Sequence, residues 1–319
     1  MELLFVTGND KKIKSAKNVL EKNNIFIKQT SLDLKEIQSD NIQEVAIEKA
    51  IVAYRKLQKP LIINDSNLVI ESLNGFPGVY AKYVEKTLGD KGILKLLEDA
   101  KNRKASYVDV LVYIDKYGYQ VFKSEVKGSI SKESFKGDFY PFDKIFIKDN
   151  MEYPIAYYGK EEIDKLYEND TYNQLVKFFT KRKVSRGITF IDDKVILLHR
   201  IRKEFDDTLE YYAIPGGGVE EFETIEEACI REVLEEVTLD VTINKYLGFE
   251  EYETGICYYY LTNYLGGTPI LGGEEKERNN PDNFYEVKLI DINKIDEISM
   301  YGINKKMIKD AYKLYKSLK

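Results

Sequence analysis

Residues 217–239 read Gly-Gly-Val-Glu-Glu-Phe-Glu-Thr-Ile-Glu-Glu-Ala-Cys-Ile-Arg-Glu-Val-Leu-Glu-Glu-Val-Thr-Leu, and this stretch decides how the second half of the chain is built. Thr224 followed three residues later by Glu227 is a capping box, so the pattern predicts a helix that starts at Ile225. At about 100° per residue, Ile230, Val233, Leu234 and Val237 fall on one face. Glu232, Glu235 and Glu236 fall on the other, at i, i+3 and i+4. Carboxylates that close raise one another's pKa, so the cluster needs solvent or bound cations to neutralise it. A solvated acidic face on an amphipathic helix is the plain reading of a glutamate run. The context argues for more. Pro215-Gly216-Gly217-Gly218 supplies a turn whose backbone can approach a metal ion or phosphate closely. Mg2+, or Mn2+ in its place, takes oxygen ligands and completes its shell with water and substrate phosphate. On this reading Glu232, Glu235 and Glu236 are metal ligands, and Gly216 and Gly217 form the turn beside them.

From Gly217 the spacing runs to Glu223, then to Arg231-Glu232 and Glu235-Glu236. This pattern resembles the signature of the Nudix hydrolases, which cleave phosphoanhydrides of nucleoside diphosphate compounds. The resemblance implies an α/β/α sandwich, a pairing of Glu223 with Arg231 that locks loop to helix, and a catalytic role for Glu235. It also implies a further carboxylate from a downstream loop. Gly272-Gly273-Glu274-Glu275-Lys276-Glu277-Arg278 is that loop, with Glu275 the first choice as ligand or base and Glu274 and Glu277 its rivals. A plain charged surface loop is the alternative. Thr238 and Phe222 stand where the family usually has glycine, so the helix end is expected to differ without loss of a ligand. Upstream, two apolar runs at 187–191 and 195–198 flank Asp192-Asp193 as a hairpin. His199, the single histidine, is read as a strand-end residue rather than a base. Residues 284–289 read as a strand, and residues 303–318 as a helix that packs on the same sheet.

The chain has 319 residues, for which two domains are the natural division. Forty-eight basic and 54 acidic residues give a net charge of −6, which argues against a broad nucleic-acid surface but not against a local phosphate pocket. Two cysteines are too few for a disulfide framework, so a reducing cytoplasm is expected. No apolar run approaches membrane-spanning length. Residues 1–6 read as a first strand, without the basic flank and length of a signal peptide.

That strand leads into Thr7-Gly8-Asn9-Asp10-Lys11-Lys12 and a helical stretch through Leu20, a plausible phosphate cradle. A second apolar strand, Pro60-Leu61-Ile62-Ile63, ends in Asn64-Asp65-Ser66. Next come Gly75-Phe76-Pro77-Gly78-Val79-Tyr80 and, further on, Tyr140-Pro141-Phe142-Asp143-Lys144-Ile145-Phe146. In this order the pieces resemble the inosine triphosphate pyrophosphatase family, which hydrolyses non-standard purine triphosphates to monophosphate and pyrophosphate. The resemblance covers roughly residues 1–180. It implies an elongated α/β domain with a central mixed sheet, a cleft between two lobes, and homodimerisation through this domain. Position by position, it implies that Thr7, Asn9, Lys12, Lys49 and Ser66 contact the triphosphate and that Glu36 and Asp65 bind metal, Asp65 as the catalytic acid. It places Tyr140, Phe142 and Asp143 around the base.

The family's Ser-His-Arg, which helps recognise the purine, has no counterpart in residues 169–176, which read Asn-Asp-Thr-Tyr-Asn-Gln-Leu-Val. Base discrimination is therefore expected to differ from the family's. A basic run over residues 180–186 is read as the connector. The division is 1–182 for the pyrophosphatase-like domain and 183–319 for the Nudix domain. Together the readings predict a metal-dependent bifunctional nucleotide hydrolase in nucleotide-pool housecleaning. The alternative makes only the Nudix half catalytic and the first half a nucleotide sensor or dimerisation module.

Overall fold

Six strands carry the first half of the chain: β1 (Glu2–Val6), β2 (Phe26–Thr30), β3 (Leu61–Ile70), β4 (Lys104–Asp115), β5 (Gly118–Ile130) and β6 (Phe146–Lys148). The computed structural model describes residues 1–161, 163, 170–204 and 207–318. Contacts divide the chain into two units, Met1–Thr180 and Lys181–Lys319. In the first, the sheet order is β2-β1-β3-β4-β5-β6. β1 is parallel to β2 and β3, and the remaining neighbours are antiparallel, so the sheet is mixed.

Alternation along the strands sends successive residues to opposite faces. Leu61 and Ile63 of β3 and Val110 and Val112 of β4 pack on Ala46, Ala50 and Ala53 of α2 (Ile42–Leu57). On the other face Phe5 meets Tyr172 edge-on and Tyr113 meets Phe178, both partners coming from α5 (Asp170–Thr180). A second core gathers Leu68, Ile70 and Tyr107 with Val84 of α3 (Ala81–Thr87), Ile93 of α4 (Gly89–Leu96), Phe142 and Phe146. Each buried Leu or Ile contributes roughly 1.5–3 kcal/mol. Asn64-Asp65-Ser66-Asn67 forgoes that gain between the two cores. The strand expected to end at Ile63 continues through this polar stretch because residues 61–70 pair in register with residues 105–114 of β4. That ladder is non-local and leaves no mark in the residues of β3 itself.

The second unit is a seven-stranded sheet ordered β11-β12-β7-β8-β13, with β10 on β7 and β9 on β8. Its strands are β7 (Arg182–Ile191), β8 (Lys194–Glu204), β9 (Asp207–Ala213), β10 (Gly216–Gly218), β11 (Leu239–Tyr252), β12 (Gly255–Gly267) and β13 (Asn283–Asp291). Along β8, Val195 and Leu197 pack with Met307, Ile308 and Ala311 of α8 (Asn304–Ser317). Ile196 and Leu198 pack with Val233 and Val237 of α6 (Ile225–Val237). One helix covers each face, which is the α/β/α sandwich.

Three expectations change here. The basic run from Arg182 is strand rather than connector, because its backbone pairs with β12 in parallel and with β10. His199 lies inside β8, stacked on Tyr212 with centroids 4.7 Å apart and bonded to Glu210. On α6 the faces are not cleanly divided: Leu234 is exposed and Glu236 is buried. The helix is gripped by strands on more than one side, and Glu236 is the side turned toward the glycine strand. Among the described residues no helix is long and apolar enough to cross a membrane.

Candidate active sites

The first site gathers where β3 passes between its two cores. Asn9 caps α1 (Asp10–Leu20): its Oδ1 accepts from the backbone N–H of Lys11 at 2.9 Å and of Lys12 at 3.3 Å. Thr7 Oγ1 accepts from the backbone N–H of Asn9. The cap fixes the first helical turn and so aims Lys12, whose Nζ donates to the carbonyl of Asn64 at 2.7 Å. Burial pulls the Lys12 ammonium below its ordinary pKa, and Asp65 and Asp109 oppose that fall.

From α2, Lys49 Nζ reaches both Asp65 oxygens at 2.7 and 3.0 Å and Glu36 Oε1 at 3.0 Å. Burial works against the charge on Lys49, but the charge and bond of Asp65, then those of Glu36, outweigh it and raise its pKa. The ammonium thus holds together the two carboxylates assigned to metal. Ser66 gives its single hydroxyl proton to Asp109, a carboxylate 3% exposed on β4. Its oxygen therefore presents lone pairs, and donation from Ser66 to a phosphate oxygen requires that bond to break.

Around the expected base, the structure separates three residues that the sequence groups. Tyr140 is 47% exposed and carries Lys11 Nζ 4.0 Å from its ring centroid. Phe142 is 1% exposed inside the second core, so it is a packing residue and not a wall open to a base. Asp143 is equally buried. Asn169, part of the region lacking Ser-His-Arg, lies outside the described residues, whereas Thr171 and Tyr172 are buried in α5.

The second site is local. Thr224 and Glu227 form the capping box that starts α6. Arg231 then donates from Nε and Nη2 to Glu223 at 3.1 and 2.7 Å, from Nη2 to the carbonyl of Gly218 at 2.9 Å, and from Nη1 to Glu232 at 2.8 Å and Glu235 at 3.1 Å. One planar fork ties loop, glycine strand and two of the three glutamates.

Glu236 Oε2 accepts from the backbone N–H of Gly216 at 2.7 Å. Burial first, with the charges of Glu275 and Glu232, pushes its carboxyl up to about 8 despite that bond. Burial, Glu235 and Glu275 likewise raise Glu232 against the pull of Arg231. A Cβ on Gly217 would fall on the Glu232 carboxylate, so any side chain there would displace that group from its present position. The presumed loop at 273–277 is the short helix α7 (Gly273–Glu277). It lies against the end of α6: Gly272 N–H donates to Glu236 O, and a Cβ on Gly272 would meet Glu235 O at 2.4 Å. Glu274 turns to Arg278 and solvent, while the charge of Glu275 is the one felt at Glu232 and Glu236.

Among the described residues no three His, Cys, Asp or Glu side chains already converge as a metal cage; here Glu232 and Glu235 are engaged by Arg231 and Glu236 by the Gly216 N–H. The donors present are nonetheless all carboxylate oxygens, and burial together with neighbouring carboxylates raises the pKa of two of them, Glu232 and Glu236. That set suits a hard divalent cation.

Beside Glu236 a cavity of about 200 Å3 is walled by Arg186, Arg200, Tyr211 and Tyr301. Arg200 lies over the Tyr285 ring at 4.4 Å and donates to its hydroxyl at 2.6 Å. Sequence reading missed this wall, and it missed Asp109. Its only signal was a lone acid inside an apolar strand, Val108-Asp109-Val110.

Comparison with known proteins agrees with both halves. A family model described as the Ham1 family matches residues 3–168, and one described as the NUDIX domain matches residues 181–311. A Methanopyrus kandleri protein named dITP/XTP pyrophosphatase is 41% identical over 167 residues, 52% of this chain and 89% of that protein. One of the same name from Thermococcus kodakarensis is 37% identical over 166 residues, 52% of this chain and 90% of that protein. Among solved structures, a HAM1 protein from Coxiella burnetii aligns with a TM-score of 0.50 at 23% identity, covering 56% of this chain and 98% of that one; this likeness shows the fold. A lysine-bound carboxylate pair in a mixed sheet, followed by an arginine-locked glutamate helix, thus has its explanation in descent: the chain belongs to the Ham1 family, carries a NUDIX domain after it, and is a hydrolase of phosphoanhydride bonds.

Proposed function

We propose that the protein is a two-domain, metal-dependent nucleotide pyrophosphohydrolase that removes non-standard nucleotides. Its first domain splits a nucleoside triphosphate into monophosphate and pyrophosphate, and its Nudix domain cleaves a nucleoside diphosphate-linked compound. The observation that carries this reading is the Lys49 ammonium between Glu36 and Asp65: two carboxylates already gathered around one positive charge are placed to receive a cation. Glu36 and Asp65 would hold Mg2+ in the first domain, and Glu232, Glu235, Glu236 and Glu275 in the second. A bound divalent ion offsets phosphate charge and makes a water more acidic.

The chain's own groups account for the remaining steps. Lys12 and Lys49 are the cations available to phosphate oxygens, and binding of the triphosphate draws Lys49 away from Asp65. Asp65 then accepts a proton from water as the water oxygen bonds to phosphorus and the bridging P–O bond breaks, with pyrophosphate leaving. In the second domain Glu235 or Glu275 takes the corresponding proton, and the tyrosines beside Arg200 offer a stacking wall for a planar group. The test uses the full chain with ITP, a nucleotide sugar and a dinucleotide as substrates. Asp65→Asn is expected to stop pyrophosphate release from ITP, Glu236→Gln to stop the second activity, and chelation to stop both. Wild-type pyrophosphate release from Asp65→Asn would refute the first assignment. If that variant instead alters only Nudix rates, the first domain is a sensor.

A further inference from the structure

We propose that the cavity beside Glu236 in the second domain binds an oxyanion, a phosphate or carboxylate carried on the sugar next to the linkage that this domain cleaves. The inference rests on the Nudix reading above and names a substrate class for that site: a nucleoside diphosphate compound with one negative group more than its diphosphate bridge supplies.

The cavity exists because a hairpin opens. β7 and β8 pair only at Phe190–Val195 and Ile191–Lys194. Beyond those pairs β7 takes β10 and β12 as neighbours, while β8 takes β9 and β13. Where the strands have parted, Arg186 of β7 and Arg200 of β8 share one wall with Asn304 of α8 and Glu236 of α6.

That wall is made of donors. Arg200 lies over the rings of Tyr285 and Tyr211, its guanidinium carbon 4.4 and 5.5 Å from their centroids. Its Nη2 donates to the Tyr285 hydroxyl at 2.6 Å, and its Nε is buried with no hydrogen-bond partner. Rings and hydroxyl hold the cation in place but bring no negative charge to cancel it. Arg186 Nη1 donates to the carbonyl of Ile214, again a neutral acceptor. Among the described residues neither arginine forms a salt bridge. Asn304 Oδ1 accepts from Tyr259 at 2.9 Å, which leaves the amide nitrogen, a donor, to offer a ligand. Glu236 is the one acid among the lining residues, and Gly216 N–H already binds one of its oxygens.

Two guanidiniums against one carboxylate leave the wall positive. Arginine cannot lose its proton, and a cation withdrawn from water without an acid partner is costly. A bound oxyanion offsets that cost and accepts from the forks in the geometry that suits them. At about 200 Å3 the cavity is smaller than the roughly 300–1,000 Å3 of pockets that enclose a whole small ligand, so it takes one part of the substrate. Gly216 and Glu236 belong to its wall, so that part is the group next to the reacting phosphates.

The experiment measures kcat/KM of the full chain with Mg2+ for two matched pairs, and equilibrium binding of the same four compounds. UDP-glucuronate differs from UDP-glucose by a carboxylate, and NADPH differs from NADH by a ribose 2′-phosphate. Wild type is expected to favour the charged member of at least one pair by about tenfold or more, and the pair that responds tells carboxylate from phosphate. Arg200→Gln removes one charge; Asn304→Asp keeps the acceptor for Tyr259 and adds a negative group. Each should bring the ratio to within about threefold of one. A ratio near or below one for both pairs in wild type overturns the proposal, as does a wild-type ratio retained by either variant whose thermal melt shows it folded. If none of the four is hydrolysed, the Nudix substrate reading fails, while the binding ratios still decide what the cavity holds.

Discussion

Two residues that replace glycine show how a shared backbone angle can have different consequences. Phe222 has φ +72° and is 97% exposed, so its ring returns nothing for the left-handed conformation. Phe222→Gly is expected to stabilise the second domain by about 1 kcal/mol, read as a rise of roughly 4 °C in its melting temperature. Thr238 caps α6 at φ +55°, but its hydroxyl donates to Thr268 O at 2.7 Å. Thr238→Gly relieves strain and loses that bond, so its net change should stay within about 0.5 kcal/mol. Glu85 makes the complementary point about charge. Its folded carboxyl titrates near 7 against an ordinary 4.5, so the stability linked to its proton is fully present below 4.5 and is lost as pH rises through 7. Thermal melts of Glu85→Gln should match wild type at pH 4.5 and exceed it increasingly up to pH 8; a constant difference would place the effect in packing instead.

Single elements were readable where their signals are local. The α6 cap, the hairpin at Asp192 and the C-terminal helix follow from spacing over a few residues, and each forms. Burial of Glu236 and exposure of Leu234 did not follow, because a wheel cannot know that α6 also borders the glycine strand. Asp65 was read at the end of a strand, and only the β3–β4 ladder makes it interior. Asp109 meets Ser66 through strand pairing across dozens of residues, so no local pattern announced it. Within α6 the element-level prediction concerns Arg231, which joins Glu223, Gly218, Glu232 and Glu235 through three nitrogens. Lysine has one nitrogen and no planar fork. Arg231→Lys should destabilise the second domain by about 2 kcal/mol and reduce its turnover more than tenfold, with ITP hydrolysis by the first domain unchanged. Equal losses in both activities would show that the fork is not a local lock.

At the scale of the molecule, each unit closes its own accounts: the cores around α2 and α3–α4 use residues of the first, and those around α6 and α8 use residues of the second. Among the described residues, no strand of one sheet pairs with the other. Domains with separate cores fold separately, so residues 1–180 and 181–319, made as two chains, should each unfold cooperatively by circular dichroism and retain their own activity. Mg2+ should raise the melting temperature of the second piece, because binding to the folded state alone stabilises it by mass action. The rise should be larger at pH 8.5 than at pH 6.5, since Glu236 titrates near 8 and only the ionised carboxylate binds a cation well. Glu236→Gln removes both the rise and its pH dependence if this carboxylate is a ligand. A variant that still gains the full stabilisation would move the cation to other residues of the helix, while leaving the independence of the two halves to be judged by their separate melts.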